Sequence, residues 1–92
     1  MSATHSRRLS IVNRKGLHAR ASAKFVETVE RFDAHARVSK DGHTVAGDSI
    51  MGLLMLAAAE GTELGVTTEG PEAEALMDAL ERLLAGRFGE EN

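Results

Sequence analysis

Hydrophobic residues change their spacing several times along the chain, and each change predicts a new structural element. A short apolar cluster from Leu9 to Val12, interrupted by one serine, predicts a strand that leads into a polar loop ending at Gly16. Between His18 and Phe32, apolar residues recur three and four positions apart, which is the spacing of one face of an amphipathic helix. The first third of the chain therefore predicts a strand, a loop and a helix.

The middle of the chain predicts a hairpin. Ala36 and Val38 alternate with polar residues, and a second apolar run resumes at Val45. The pair Asp41-Gly42 between these runs is typical of a two-residue turn between antiparallel strands.

A nearly continuous apolar run from Ile50 to Ala59 predicts the second helix. Asp48 or Ser49, directly before it, can accept a hydrogen bond from a free amide in the first helical turn. The run is well short of the ~20 residues that a membrane-spanning helix needs, so we expect no membrane insertion.

The last part of the chain predicts one more strand and one more helix. Apolar and polar residues alternate from Leu64 to Thr68, and the strand closes at Gly70. Pro71 in a first turn and a leucine stripe ending before Gly86 indicate a helix. The order is therefore βαββαβα, an α+β fold. Because polar residues alternate along the strands, we expect a four-stranded antiparallel sheet with three helices on its single apolar face.

Composition limits the possible functions. With 92 residues, the chain is expected to form a single domain over residues 1–92. Its formal net charge of -3 opposes nucleic-acid binding, as does the small number of aromatic residues, so proteins are the expected partners. No export signal is visible, and the cytoplasm is the expected compartment. Cysteine is absent and His5, His35 and His43 have no ligand spacing, so neither a metal site nor a cofactor is expected.

The run Gly16-Leu17-His18-Ala19-Arg20 places an imidazole and a guanidinium where a loop enters a helix. Unpaired backbone amides at a helix start favour an anion, and the fork of Arg20 matches phosphate oxygens. A phosphoryl group on a ring nitrogen of His18 would fit there. Residue type alone also allows His18 to be no more than a helix cap, which is the commoner role.

Two separated segments, Gly16-Leu17-His18-Ala19-Arg20 and Ser49-Ile50-Met51-Gly52-Leu53, resemble the HPr family, as does the order of elements. HPr proteins are the histidine-containing phosphocarriers of the bacterial phosphotransferase system. The resemblance implies an open-faced β-sandwich in which His18 accepts a phosphoryl group from phosphorylated enzyme I and passes it to an enzyme IIA domain. Arg20 would steady the phosphate. The chain would then be a phosphoryl carrier rather than an independent enzyme.

The chain departs from the family pattern at the residue after Arg20. Many members have proline where this chain has Ala21. Alanine leaves a backbone amide free at the start of the helix without removing the carrier chemistry.

Ser49 has two interpretations. Its hydroxyl can cap the second helix, which is the commoner role for a serine there. The resemblance also implies that Ser49 is a regulatory phosphorylation site for an HPr kinase/phosphorylase. A phosphate would add up to about two negative charges and repel an acidic partner. Asp48 stands where family members often carry lysine, which leaves recognition by such a kinase open.

The second helix has almost no polar face. The resemblance implies that Ile50, Met51 and Leu54 belong to a docking surface around His18, while burial in the core is an equal alternative. The leading hypothesis is a monomeric phosphoryl carrier, and the alternative is a regulatory interaction module controlled by phosphorylation. Retention of both His18 and Arg20 favours transfer. The sequence does not separate a sugar-uptake role from a nitrogen-related regulatory role.

Overall fold

Side chains along a strand alternate between two faces, and in this protein one face of the sheet is covered while the other is open. The computed structural model describes residues 3–91. Four antiparallel strands lie in the order β1-β4-β2-β3. The strands are β1 (Ala3–Ser10), β2 (His35–Lys40), β3 (His43–Ala46) and β4 (Glu63–Gly70). The helices are α1 (Ala19–Glu30), α2 (Ile50–Met55) and α3 (Ala73–Ala85), and a 3₁₀ turn follows at Arg87–Gly89.

One hydrophobic core joins the inner face of the sheet to all three helices. Val38 and Val66 from the sheet are buried together with Phe25 of α1, Leu53 of α2 and Leu80 of α3. The opposite face of the sheet carries exposed polar side chains such as those of Ser6, Arg8 and Arg37. The predicted βαββαβα order and the open-faced sandwich are therefore confirmed.

The predicted hairpin is also confirmed. Lys40 pairs with His43, so the turn consists of Asp41 and Gly42. Both residues have left-handed backbone angles, with φ values of 50° and 82°. Two such residues are what a tight turn between right-twisted strands requires.

The first strand was placed too late in the chain, because β1 begins at Ala3 and includes only the first half of the predicted Leu9–Val12 segment. Two inward positions of β1 are polar, His5 and Arg7, which hid the apolar alternation. Arg7 nevertheless contributes to the fold at the sheet edge. Its guanidinium lies 2.9 Å from Asp78 and 2.5 Å from Glu81, both on α3.

The second helix is shorter than predicted, because α2 ends at Met55 rather than at Ala59. Ala57 has a φ of 50°, in the left-handed region that a helix does not use. The next carbonyl, that of Ala58, accepts a hydrogen bond of 2.8 Å from the backbone N–H of Leu17. The rest of the apolar run is thus a loop that holds the segment leading into α1.

The other boundaries differ by a few residues. α1 begins after His18 and ends before the predicted Phe32, whose N–H bonds to the carbonyl three residues earlier. β4 begins one residue earlier than predicted, at Glu63, and ends at Gly70 as predicted. Pro71 lies before α3 rather than in its first turn, and Glu72 is the N-cap. The Glu72 carboxylate instead accepts the backbone N–H of Asp33 at 2.7 Å.

Candidate functional site

A tightly docked loop leads to His18 at the start of α1. Gly16 has a φ of 68°, and its N–H donates to the carbonyl of Asn13 at 3.2 Å. A Cβ atom at Gly16 would lie 2.4 Å from the carbonyl oxygen of Ala58, closer than two such atoms approach. Glycine is therefore required by both the backbone angle and the space. The buried Leu17 donates to the same carbonyl.

Asn13 connects this loop to the C-terminal segment. Its buried side-chain amide donates to the carbonyl of Gly16 at 2.8 Å and to Oε1 of Glu90 at 3.1 Å. Its Oδ1 is buried and accepts no hydrogen bond from residues 3–91. The donor side of the amide thus holds two distant parts of the chain together.

His18 is the N-cap of α1, and both of its ring nitrogens have partners. Nδ1 accepts a hydrogen bond of 3.2 Å from the backbone N–H of Arg20. Nε2 lies 2.5 Å from Oε2 of Glu90. Since an ionised carboxylate only accepts, these partners assign the proton to Nε2 and a lone pair to Nδ1. The side chain is 28% exposed, so the ring is accessible.

Glu90 was missed by the sequence analysis. The 3₁₀ turn after α3 folds the chain back, because Arg87 and Phe88 adopt left-handed angles. Phe88 is buried, and its carbonyl accepts a hydrogen bond of 2.6 Å from Lys24. The only available signal was an apolar residue standing alone after the last leucine stripe, which indicates an anchored C-terminal segment.

The contact with His18 lowers the pKa of Glu90 below its ordinary value of 4.5. The hydrogen bond from His18 is the largest cause, and that from Asn13 and the charges of His18 and Lys15 act in the same direction. Partial burial of the carboxylate opposes them. The folded protein therefore favours the ionised form of Glu90.

This lowered pKa predicts that Glu90 stabilises the fold only while it is ionised. Its contribution is present above pH 4.5 and is lost as the pH falls through the lowered pKa. In urea unfolding across this range, the free-energy difference between the natural chain and Glu90→Gln should shrink with acidification. A difference that stays constant would contradict the prediction. Glu91→Gln, at an exposed neighbour, is the control.

Arg20 lies in the first turn of α1, where amides lack helical acceptors. Its side chain is exposed and forms no hydrogen bond or ion pair within the described part of the chain. The structure joins it to His18 through its backbone N–H alone, which leaves the guanidinium available to an anion.

The other predicted site residues lie on or next to α2. Ser49 is its N-cap, and Oγ accepts the N–H of Gly52 at 3.0 Å, so the predicted capping is confirmed for Ser49 rather than Asp48. Ile50 and Met51 are 40% and 68% exposed. Leu54 is half-buried. Met55, which the prediction did not include, is 79% exposed. α2 packs against α1, so these side chains share one side of the molecule with the helix that His18 caps.

Within residues 3–91, no three histidine, cysteine, aspartate or glutamate side chains are grouped so that they could hold a metal ion. In the same range, no helix is both long and apolar enough to cross a membrane.

Comparison with known proteins assigns the family. The sequence model described as PTS HPr component phosphorylation site matches residues 5–86. The chain belongs to the HPr family. Phosphocarrier protein HPr of Neisseria meningitidis serogroup A is 48% identical over 82 residues, covering 89% of this chain and 92% of that protein. Phosphocarrier protein HPr of Cupriavidus necator is 46% identical over 81 residues, covering 88% and 91%.

A solved HPr structure confirms the fold. The crystal structure of HPr from Thermoanaerobacter tengcongensis superimposes with a TM-score of 0.91 at 36% sequence identity. The match covers 96% of this chain and 99% of that one. The resemblance first inferred from two short segments is therefore confirmed. The role of HPr as a phosphocarrier of the phosphotransferase system is the function that the family supports.

Proposed function

We propose that this chain carries a phosphoryl group on Nδ1 of His18, accepting it from phosphorylated enzyme I and passing it to an enzyme IIA domain. The proposal rests on the different partners of the two ring nitrogens of His18. Nε2 is engaged by Glu90, while Nδ1 holds a lone pair at the start of α1. Membership of the HPr family supports the reaction class.

The transfer step follows from this geometry. The Nδ1 lone pair forms a bond to phosphorus, while the bond between phosphorus and the donor breaks and its electron pair leaves with the donor. The N–H of Arg20, which Nδ1 now accepts, can then donate to a phosphoryl oxygen. The Arg20 guanidinium supplies further donors in a planar fork.

The weak stabilisation of an anion at the start of α1 suits a phosphoryl carrier. A helix N-terminus stabilises an exposed anion by about 0.3 to 1 kcal/mol, and ~1.4 kcal/mol changes an equilibrium constant tenfold. A phosphoryl group on His18 is therefore held weakly enough to be passed on. A deeply buried anion site would retain it.

We further propose that Ile50, Met51 and Leu54 contact the partner proteins. The exposure of Ile50 and Met51 supports docking over burial, while Leu54 is half-buried and contributes less. Flexible methionine side chains adapt to different surfaces, which a carrier with two partners needs.

Regulation at Ser49 predicts a measurable effect of charge. Ser49→Asp should lower the rate of phosphoryl transfer from enzyme I, because it adds a negative charge beside the proposed docking residues while aspartate still caps α2. Ser49→Ala is the control, since it removes the cap, at a cost of about 1 kcal/mol in stability, without adding charge. Equal transfer rates for the natural chain and Ser49→Asp would count against electrostatic regulation. Whether an HPr kinase/phosphorylase modifies Ser49 is a separate question that a kinase assay answers.

Residues 1–92 are proposed to act as one domain, which the common core of the sheet and three helices supports. The alternative function, a regulatory interaction module controlled by phosphorylation, is supported by the partial exposure of Ser49 next to the exposed Ile50 and Met51. Both functions can coexist in one chain.

The test of the proposed function is phosphorylation in solution. The protein is incubated with phosphoenolpyruvate and a bacterial enzyme I that phosphorylates another HPr, and its intact mass is measured. We expect one added phosphoryl group that is lost in acid, as phosphohistidine is acid-labile. No added group would overturn the carrier function and favour the interaction module.

A further inference from the structure

We propose that Glu90 is a positioning residue for phosphoryl transfer. Its carboxylate holds the ring of His18 in the tautomer that leaves Nδ1 free to react, and it balances the positive charge that the ring acquires. This proposal rests on the proposed function of His18. Neither the family match, which ends at residue 86, nor the motif around His18 includes Glu90.

The contact has the geometry of a strong, charge-assisted hydrogen bond. Nε2 and Oε2 are 2.5 Å apart. The side chains of His18 and Glu90 are only 28% and 20% exposed, so water screens this pair less than an ordinary surface pair. A carboxylate that accepts one imidazole N–H fixes the tautomer and orientation of the ring, as in Ser-His-Asp triads and metal-bound histidines.

Glu90 is itself held in place by the rest of the molecule. Its second oxygen, Oε1, accepts the side-chain amide of Asn13 at 3.1 Å. Its backbone N–H donates to the carbonyl of Arg87 at 2.9 Å. The buried Phe88, with Lys24 on its carbonyl, anchors the segment from the other side. A side chain supported in this way is pre-organised, which is what a positioning role requires.

The charge balance explains the effect on the reaction. When the Nδ1 lone pair bonds to phosphorus, the proton on Nε2 stays where it is, so a neutral ring becomes positively charged. Glu90 accepts that N–H and stabilises the charge as it develops. When the phosphoryl group leaves for the next protein, the electron pair returns to Nδ1 and the ring is neutral again. Repulsion between Glu90 and the phosphoryl group is reduced because they lie on opposite sides of the ring.

The first test is nitrogen NMR of the His18 ring without phosphorylation. Nitrogen shifts report which ring nitrogen carries the proton. We expect the Nε2–H tautomer to dominate in the natural chain and in Glu90→Gln, whose side-chain carbonyl can still accept. Glu90→Ala should increase the fraction of the Nδ1–H tautomer, with the N–H of Arg20 as the remaining partner that favours a lone pair on Nδ1. Glu91→Ala, a change at the exposed neighbour, should match the natural chain.

The second test is the rate of phosphoryl acceptance from enzyme I. Loss of one hydrogen bond to a charged group predicts that Glu90→Ala lowers the saturated rate about tenfold with little change in KM. The saturated rate of Glu90→Gln should lie between those of the natural chain and Glu90→Ala, because glutamine keeps the hydrogen-bond acceptor but not the charge. Unchanged tautomers and unchanged rates in Glu90→Ala would overturn the positioning role. If the natural chain accepts no phosphoryl group, the proposed function of His18 fails, and the tautomer measurement still decides what Glu90 does.

Discussion

We expect Gly16→Ala to destabilise the protein far more than Gly42→Ala, although both glycines have left-handed backbone angles. Gly16 and Gly42 have φ values of 68° and 82°, so each substitution incurs a similar conformational cost of about 1 kcal/mol. Around Gly42 there is nothing within 4 Å of an added Cβ. At Gly16, the added Cβ would lie 2.4 Å from the backbone oxygen of Ala58.

The additional cost at Gly16 comes from a contact that cannot relax locally. The Ala58 oxygen also accepts the N–H of Leu17, so moving it breaks a hydrogen bond next to a buried side chain. We expect Gly16→Ala to lose about 3 kcal/mol of unfolding free energy or more. Urea unfolding of the two variants measures the difference. Similar losses of unfolding free energy in the two variants would show that the contact with the Ala58 carbonyl does not constrain the loop before His18.

We expect His18→Ala to abolish phosphoryl acceptance while leaving the fold intact. Alanine has no nitrogen to attack phosphorus, and within the described chain no other histidine stands at a helix N-cap. Loss of the cap and of the contact with Glu90 should lower stability by about 1 kcal/mol, which is too little to unfold a typical domain.

The control for His18→Ala is His43→Ala, at an exposed histidine in β3 beside the hairpin turn. This variant should accept one phosphoryl group like the natural chain. Intact mass after incubation with phosphoenolpyruvate and enzyme I gives both results. An acid-labile phosphoryl group on His18→Ala would contradict the assignment of His18.

Most elements of the fold were predictable because the residues that determine each of them lie close together in the sequence. The turn residues Asp41 and Gly42 define the hairpin, and the apolar stripe of α1 appears in the sequence at helical spacing. Ser49 caps α2 through a hydrogen bond to a residue three positions away. Each of these features depends on residues a few positions apart, which is the range over which sequence patterns are informative.

The errors arose where long-range contacts override the local pattern. β1 was displaced because its inward Arg7 is stabilised by Asp78 and Glu81, far away in the sequence. α2 was overextended because an apolar run does not encode the left-handed angle of Ala57.

The largest omission concerned the site itself. The sequence indicated His18 from its own motif, but its partner Glu90 lies 72 residues away. Only the folded chain brings them together, through the turn that buries Phe88. The sequence motif therefore drew attention to His18 but gave no sign of its contact with Glu90.

The most direct test of the central claim is to locate the phosphorus atom. Protein labelled with heavy nitrogen in its histidines is phosphorylated with phosphoenolpyruvate and enzyme I, and coupling between phosphorus and the ring nitrogens is measured by NMR. We predict a single phosphoryl group bonded to Nδ1 of His18, with the proton retained on Nε2. A phosphoryl group on Nε2, or on a different residue, would contradict the account.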